Sequence, residues 1–180
     1  RGRRGTEWAM ADHAAGDRVV LLEETKLRTV ALENSDLGVE YPYRPVSIGD
    51  TISETVSQNA TVAGERLVPF SPVGFRVARD PATSDATLSW TRRTRVSARY
   101  VSPLGINVPI GEDSEAYEVE ITDPTYATVL RTFTGLTSPE TAYTAAEQAA
   151  DGLTPGDPIS ARIYQISATV GRGHELEATA

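Results

Sequence analysis

From Val73 onward the chain repeats one device: a short run of alternating apolar and polar residues, then a turn. "VGFRVAR" alternates, "DPATSD" turns, and "ATLSW" alternates again. After an arginine-rich interval come "AYEVEIT", "ATVLRTFTG", "TAYT", "PISARIYQISATV" and "HELEATA". A period of two sends successive side chains to opposite faces, so each run offers one apolar face and must bury it against another layer. Seven such runs, separated by turn signals at spacings of about 8 to 12 residues, predict a β-sandwich. Between "TAYT" and the next run, "AAEQAADG" reads as one helical turn stopped by Gly152. Within this pattern Leu88, Trp90, Tyr117 and Ile163 fall on the inward register and are the expected core.

The first part of the chain is written differently. "GTEWAMADHAAGD" offers a short helix with Thr6 as N-cap, Glu7 in its first turn and Gly16 as its stop. "DRVVLLEE" and "KLRTVALE", parted by "ETK", fit a β-hairpin. "GVEYPYRPVSIGD" carries Pro42 and Pro45, which confine it to an edge strand or an extended arm. Residues 51–66 read as polar and turn-rich. Pro69 and Pro72 then bracket Phe70, as a linker entering a new domain would. The expected architecture is therefore mainly all-β: a small β-rich module with one short helix over 1–68, then a sandwich over 69–180. The chain starts at Arg1 without an initiator Met, which reads as a piece of something larger, its first module incomplete.

Charge and composition narrow the chemistry. The 180 residues carry a formal charge of −8, with eight basic and eleven acidic residues in 1–68 and nine and fourteen in 69–180, so neither part is a basic domain. Such a chain repels phosphate backbones and anionic lipid, and direct nucleic-acid binding is not expected. There is no cysteine, which removes disulfides and thiolate chemistry. No apolar run approaches the roughly 20 residues of a membrane-spanning helix, and membrane insertion is not expected. Of the 17 basic residues only Lys26 is lysine, a bias that points to a GC-rich genome.

The long interval 91–114 between the second and third runs holds Arg92, Arg93, Arg95 and Arg99, with Tyr100 beside them. Long loops at the end of a sandwich are where binding sits, which makes these residues candidates for contact with a partner or a glycan. Against that, "GEDSE" at 111–115 returns three carboxylates to the same loop, enough to pair with the arginines. In "PISARIYQISATV" an inward Ile159, Ala161 and Ile163 sends Tyr164 and Ile166 outward, where either a bulge or a partly covered face accommodates them or they meet a partner, so Tyr164 joins the contact candidates. Tyr41 and Tyr43 read as packing residues.

Catalysis and metal binding find little footing. His13 and His174 stand in different modules without a second ligand at metal spacing. "DPATSD" and "GEDSE" lack the spacing of a calcium loop. "GxSxG" is absent, and Glu118 and Glu120 alternate with Tyr117, Val119 and Ile121, which points them to solvent. Asn59-Ala60-Thr61 matches a glycosylation sequon. The chain is expected to be no enzyme and to hold no cofactor and no metal.

Two resemblances follow from these residues. Pro72, Trp90, Tyr117 opening "YEVEI", the turn "GLTPGD" and the "ATVGRG" hairpin stand in the order of a fibronectin type III domain, which 69–180 resembles. One position departs: six residues after Leu153, where that family places its corner tyrosine, stands Ile159. Across nearly the whole chain, "RGRRGTEWAM", "FSPVGFRVARDP", "LSWTRRTR", "GEDSEAYEVEI" and "YQISATVGRG" resemble the C-terminal region of the multidomain baseplate protein, or megatron, of gene transfer agents and related siphophages. That family is akin to the tail-tip attachment proteins of lambda-like phages. The resemblance implies a non-enzymatic structural part of a phage-like tail tip, assembled in the bacterial cytoplasm, homotrimeric in the full assembly and bound to other baseplate proteins. It also implies attachment to a recipient's envelope, through a cell-surface glycan or envelope protein, in aid of DNA delivery. An accessory fibronectin-III module of a secreted polysaccharide-degrading enzyme is the rival expectation.

Overall fold

The computed structural model describes residues 10–17, 25, 30–96 and 108–180. Its chain divides into two compact units, Ala11–Glu65 and Arg66–Ala180, the second taking Met10 with it. Most of the expected hairpin over "DRVVLLEE" and "KLRTVALE", the first residues of the expected helix (6–9), Arg99 and Tyr100 lie outside the described residues; where the two segments are described, residues 30–33 form no strand and residues 10–17 are not helical, which corrects both expectations there. Of that helix segment, 14–17 form a turn, closed by the Asp17 N–H on the Ala14 carbonyl at 3.2 Å.

In the first unit, strand β1 (Glu40–Tyr43) pairs antiparallel with β2 (Gln58–Thr61), Tyr41 opposite Ala60 and Pro42 opposite Asn59. A two-stranded ladder has only edges, so Pro42 costs it little. Strand β2 falls in the stretch read as turns. Its sequence, "QNAT", carries no apolar alternation, and what defines it is the partner strand. The 3₁₀ turn Asn34–Asp36 precedes β1, and the Tyr41 hydroxyl donates to Asp36 Oδ1 at 2.7 Å.

The second unit is the sandwich. Strands β3 (Val73–Arg79), β4 (Ala86–Thr91) and β7 (Glu140–Tyr143) form one sheet in the order β3-β4-β7. Strands β5 (Tyr117–Thr122), β6 (Val129–Leu136), β8 (Ser160–Ser167) and β10 (Leu176–Thr179) form the other in the order β10-β8-β5-β6, with the two-residue β9 (Gly171–Arg172) also on β8. All pairings are antiparallel. Three strands against four, with the chain crossing between the sheets from β4 to β5, from β6 to β7 and from β7 to β8, is the fibronectin-III-like arrangement. A bulge in β6 beside Gly135, at φ +69°, lets Leu136 and Phe133 both reach the core side of β5.

The core is the inward register of both sheets. Leu88, Val119, Ile121, Tyr143, Ala161 and Ile163 are wholly buried, with Tyr117, Ala86 and Ile159 nearly so. Each large side chain of this set contributes about 1.5–3 kcal/mol by leaving water. Trp90, 5% exposed, meets Tyr117 edge-to-face with ring centroids 5.4 Å apart. Pro69 and Pro72, which resemble linker prolines in the sequence, are fully buried.

The helical turn α1 (Ala145–Ala150) links the sheets. Thr144 caps it: its hydroxyl accepts from the Glu147 N–H at 3.2 Å while Glu147 Oε2 accepts from the Thr144 N–H at 2.9 Å. Gly152, at φ +81°, ends it.

Candidate functional site

The arginine-rich loop base is an arrangement of internal pairs. Arg92 donates through Nε and Nη2 to the Val108 carbonyl, at 3.1 and 2.6 Å, and through Nη1 to Glu115 Oε2 at 2.8 Å. Glu115 Oε1 in turn accepts from the Tyr117 hydroxyl at 2.8 Å. Burial and this carboxylate both push the Tyr117 phenol well above its ordinary pKa. Arg95 forks onto Glu112 at 2.8 and 3.3 Å. The Arg93 guanidinium lies 5.4 Å from the Phe70 ring centre. Glu115 and Glu112 of "GEDSE" are thus the partners of Arg92 and Arg95, and among the described residues Arg92, Arg93 and Arg95 are all engaged.

Of the readings the sequence left open for Tyr164, the structure shows the covered face. Tyr164 does face outward from the sandwich core, opposite Glu118 on β5, yet it is only 8% exposed. Arg172 covers it, the guanidinium 4.6 Å from the ring centre, and the same Arg172 Nη2 bonds Glu118 and, at 2.8 Å, Glu120. Beside it Arg162 pairs with Glu177 at 2.9 Å and donates to the Tyr126 carbonyl. Glu118 and Glu120 therefore do not point freely to solvent, and Glu120 is 7% exposed. Arg172 reaches both from β9, a strand too short to leave a periodic signal.

A third cluster joins β6, β7 and α1. Arg131 Nε meets Asp151 Oδ2 at 2.5 Å and Nη2 meets Oδ1 at 3.0 Å, with Glu147 at 3.4 Å from Nη1. The Tyr143 hydroxyl donates to Asp151 Oδ2 at 2.8 Å. Burial opposes the charge on Asp151, but the hydrogen bonds from Arg131 and Tyr143 outweigh it and hold its pKa below the ordinary value. The fully buried Gln148 donates to the Tyr143 and Ser84 carbonyls at 2.9 and 3.3 Å and accepts from Arg79 Nη1 at 3.1 Å. With Ile159 at the corner position, a tyrosine hydroxyl still fastens this end of the sandwich, from Tyr143 instead. The capping signature at 144–147 is the sequence signal that leads to it; the Asp151 partnership has none.

Among the described residues no group of three or more His, Asp or Glu stands close enough to hold a metal ion. His13 is 3.6 Å from Asp17 on an exposed turn. In "DPATSD", Asp80 Oδ1 accepts from the Ala82 N–H at 2.7 Å and Asp85 Oδ1 from the Ala145 N–H at 2.7 Å, so both carboxylates bond backbone. Asn59 is exposed on β2. No described helix is long and apolar enough to cross a membrane.

The first unit presents a different surface. The loop 44–57 between β1 and β2 is ordered by its own bonds: Asp50 N–H to the Ser47 carbonyl at 3.1 Å, Glu54 N–H to Thr51 at 3.1 Å, Arg44 Nη1 to Ile52 at 3.4 Å. The turn Ser47–Asp50 sets Ile48 entirely in solvent, at 108% of the reference exposure, and Ile52 and Val56 are 64% and 80% exposed.

No protein-family model matches the chain, and no curated protein does. Solved structures do match. An Fn3-like protein from Clostridium thermocellum is 19% identical, over 62% of this chain and 91% of that one, with a TM-score of 0.39. The FN5 domain of Drosophila Lar is 16% identical, over 63% and 95%, with a TM-score of 0.36. The fibronectin-III-like assignment of the sandwich rests on the strand order given above.

Proposed function

We propose that this chain is a non-enzymatic structural segment of a phage-like tail tip or baseplate, working in assembly and in attachment to a recipient envelope. The class comes from the five sequence blocks, "RGRRGTEWAM" to "YQISATVGRG", that stand in one order in the baseplate proteins they resemble. The single structural observation that supports an assembly role is the loop 44–57. A chain working alone gains nothing by ordering Ile48, Ile52 and Val56 in water, whereas a neighbour that covers them recovers about 25 cal/mol per Å² of apolar surface. The sandwich fits the same role as a rigid body whose arginines are spent on its own carboxylates. Homotrimerisation, contact with other tail proteins and a place in the particle's tip belong to this reading. Low affinity per copy is then raised by three copies engaging together.

Imaging of assembled particles with a label at the C-terminus tests it. Density at the distal tail, present in three copies, is the expected result; a gene neighbourhood of secreted polysaccharide-degrading enzymes with no particle would sink it. If attachment uses a glycan or envelope protein, the triple variant Arg92→Ala, Arg93→Ala, Arg95→Ala weakens envelope binding only to the extent that it disturbs the loop base.

A further inference from the structure

The seven residues ahead of β3 are held as part of the sandwich. Pro69 and Pro72 are fully buried. Proline suits that position because it brings no N–H that burial would leave unsatisfied. The Pro69 carbonyl accepts from the His174 N–H at 3.0 Å, while the neighbouring Gly173 N–H bonds the Gln165 carbonyl at 2.8 Å. Gly173 is the point of closest approach. A Cβ there would stand 2.7 Å from both the Pro69 Cβ and its carbonyl oxygen, and 2.9 Å from the Gln165 carbonyl oxygen. Two of those three atoms are backbone and cannot swing aside. On the next residue Phe70 is half-buried, with the Arg93 guanidinium over its ring at 5.4 Å.

We propose that residues 66–72 form a strap fastened by Gly173, so that the sandwich begins as a folded body at Arg66. Gly173 serves as the lock: the absence of a side chain there is what lets the strap reach the β8–β9–β10 edge. Arg93 is the second fastening, which gives that arginine a role in posture and not in ligand capture. The strap is then a docked part of the sandwich and not a free linker.

Amide hydrogen exchange by NMR on the full chain, with limited trypsin digestion after Arg66, tests the proposal. In the unaltered protein the His174 amide should be as protected as strand amides such as Ile163, and exchange at the rate of an unprotected amide would overturn the strap. Gly173→Ala should raise both His174 exchange and cleavage after Arg66 by about tenfold or more, with Val119 and Ile163 protection unchanged, because both rates follow the population of the locally open state. Unchanged rates would overturn the lock. If Gly173→Ala unfolds the whole sandwich, Phe70→Ala decides: faster cleavage after Arg66 with an intact core supports the strap, and cleavage at the original rate overturns it.

Discussion

The two units of this chain are ordered by different forces. In the sandwich, burial dominates: ten apolar residues from Ala86 to Ile163 make one core cluster, and hydrogen bonds are added at its ends. In Ala11–Glu65 no described residue is buried, and order comes from a four-residue ladder, the Tyr41–Asp36 bond and the turns of loop 44–57. Hydrogen bonds exchanged with water yield about 0.5–1.5 kcal/mol each, which sets local geometry but rarely holds a fold. Burial holds the fold. The comparison therefore predicts that mutations cost most where side chains leave water and least where only turns hold the backbone.

The largest effect should come from Trp90→Ala. It removes an indole wedged beside Tyr117 and leaves a cavity between the sheets, a loss of about 3–5 kcal/mol. Urea unfolding followed by circular dichroism reads it, and a midpoint unchanged from the parent would mean that the sheets do not close over position 90.

Second comes Asp151→Ala, at about 2–4 kcal/mol, because it strands Arg131 and the Tyr143 hydroxyl together. The same group sets an acid limit. Its folded pKa lies below its unfolded one, so its contribution is complete above about pH 4 and is lost as pH falls through the folded value. Glu147, bonded to the Thr144 N–H, is shifted the same way. Stability of the sandwich should thus decline below about pH 4, and Asp151→Asn should flatten that decline. A pH profile of the melting temperature, unchanged in slope by Asp151→Asn, would remove Asp151 from the account. A smaller loss, about 1 kcal/mol, is expected for Thr144→Ala, which frees the Glu147 N–H at the helix start.

This ordering also marks what the residues alone could tell. Alternation located seven of the eight strands of the sandwich and its inward register, since period two is a direct imprint of burial on one face. Strand β2 escaped because nothing in "QNAT" is buried, and a ladder defined by its partner leaves no pattern in its own residues. Loop 91–114 was legible as a clustering of charge, but both contact and pairing satisfied the same letters. The distances of Arg92 to Glu115 and Arg95 to Glu112 show the pairing. Tyr164 was placed on the correct face. Its cover was illegible because Arg172 approaches from a two-residue strand, and cation–π stacking has no sequence period.

The smallest effect falls in the first unit, at the tip of its loop. Ile48→Ser replaces an aliphatic side chain that touches nothing at the tip of loop 44–57, so the stability of the isolated chain should stay within about 0.5 kcal/mol of the parent. A folded-state role for Ile48 would show as a larger loss in the same urea experiment, and the claim that this unit is ordered by turns would fail with it. The informative case is a small change in stability together with poorer incorporation into particles. Those two readouts part only if the side chain is displayed for a neighbour, because an interior residue cannot lose assembly without losing fold. Gly49→Ala belongs beside it as the geometric control: φ +100° at that position suits glycine, so the variant should disturb the turn that displays Ile48 while leaving the aliphatic side chain present. Matching assembly defects in the two variants would mean that the loop is read as a preformed shape.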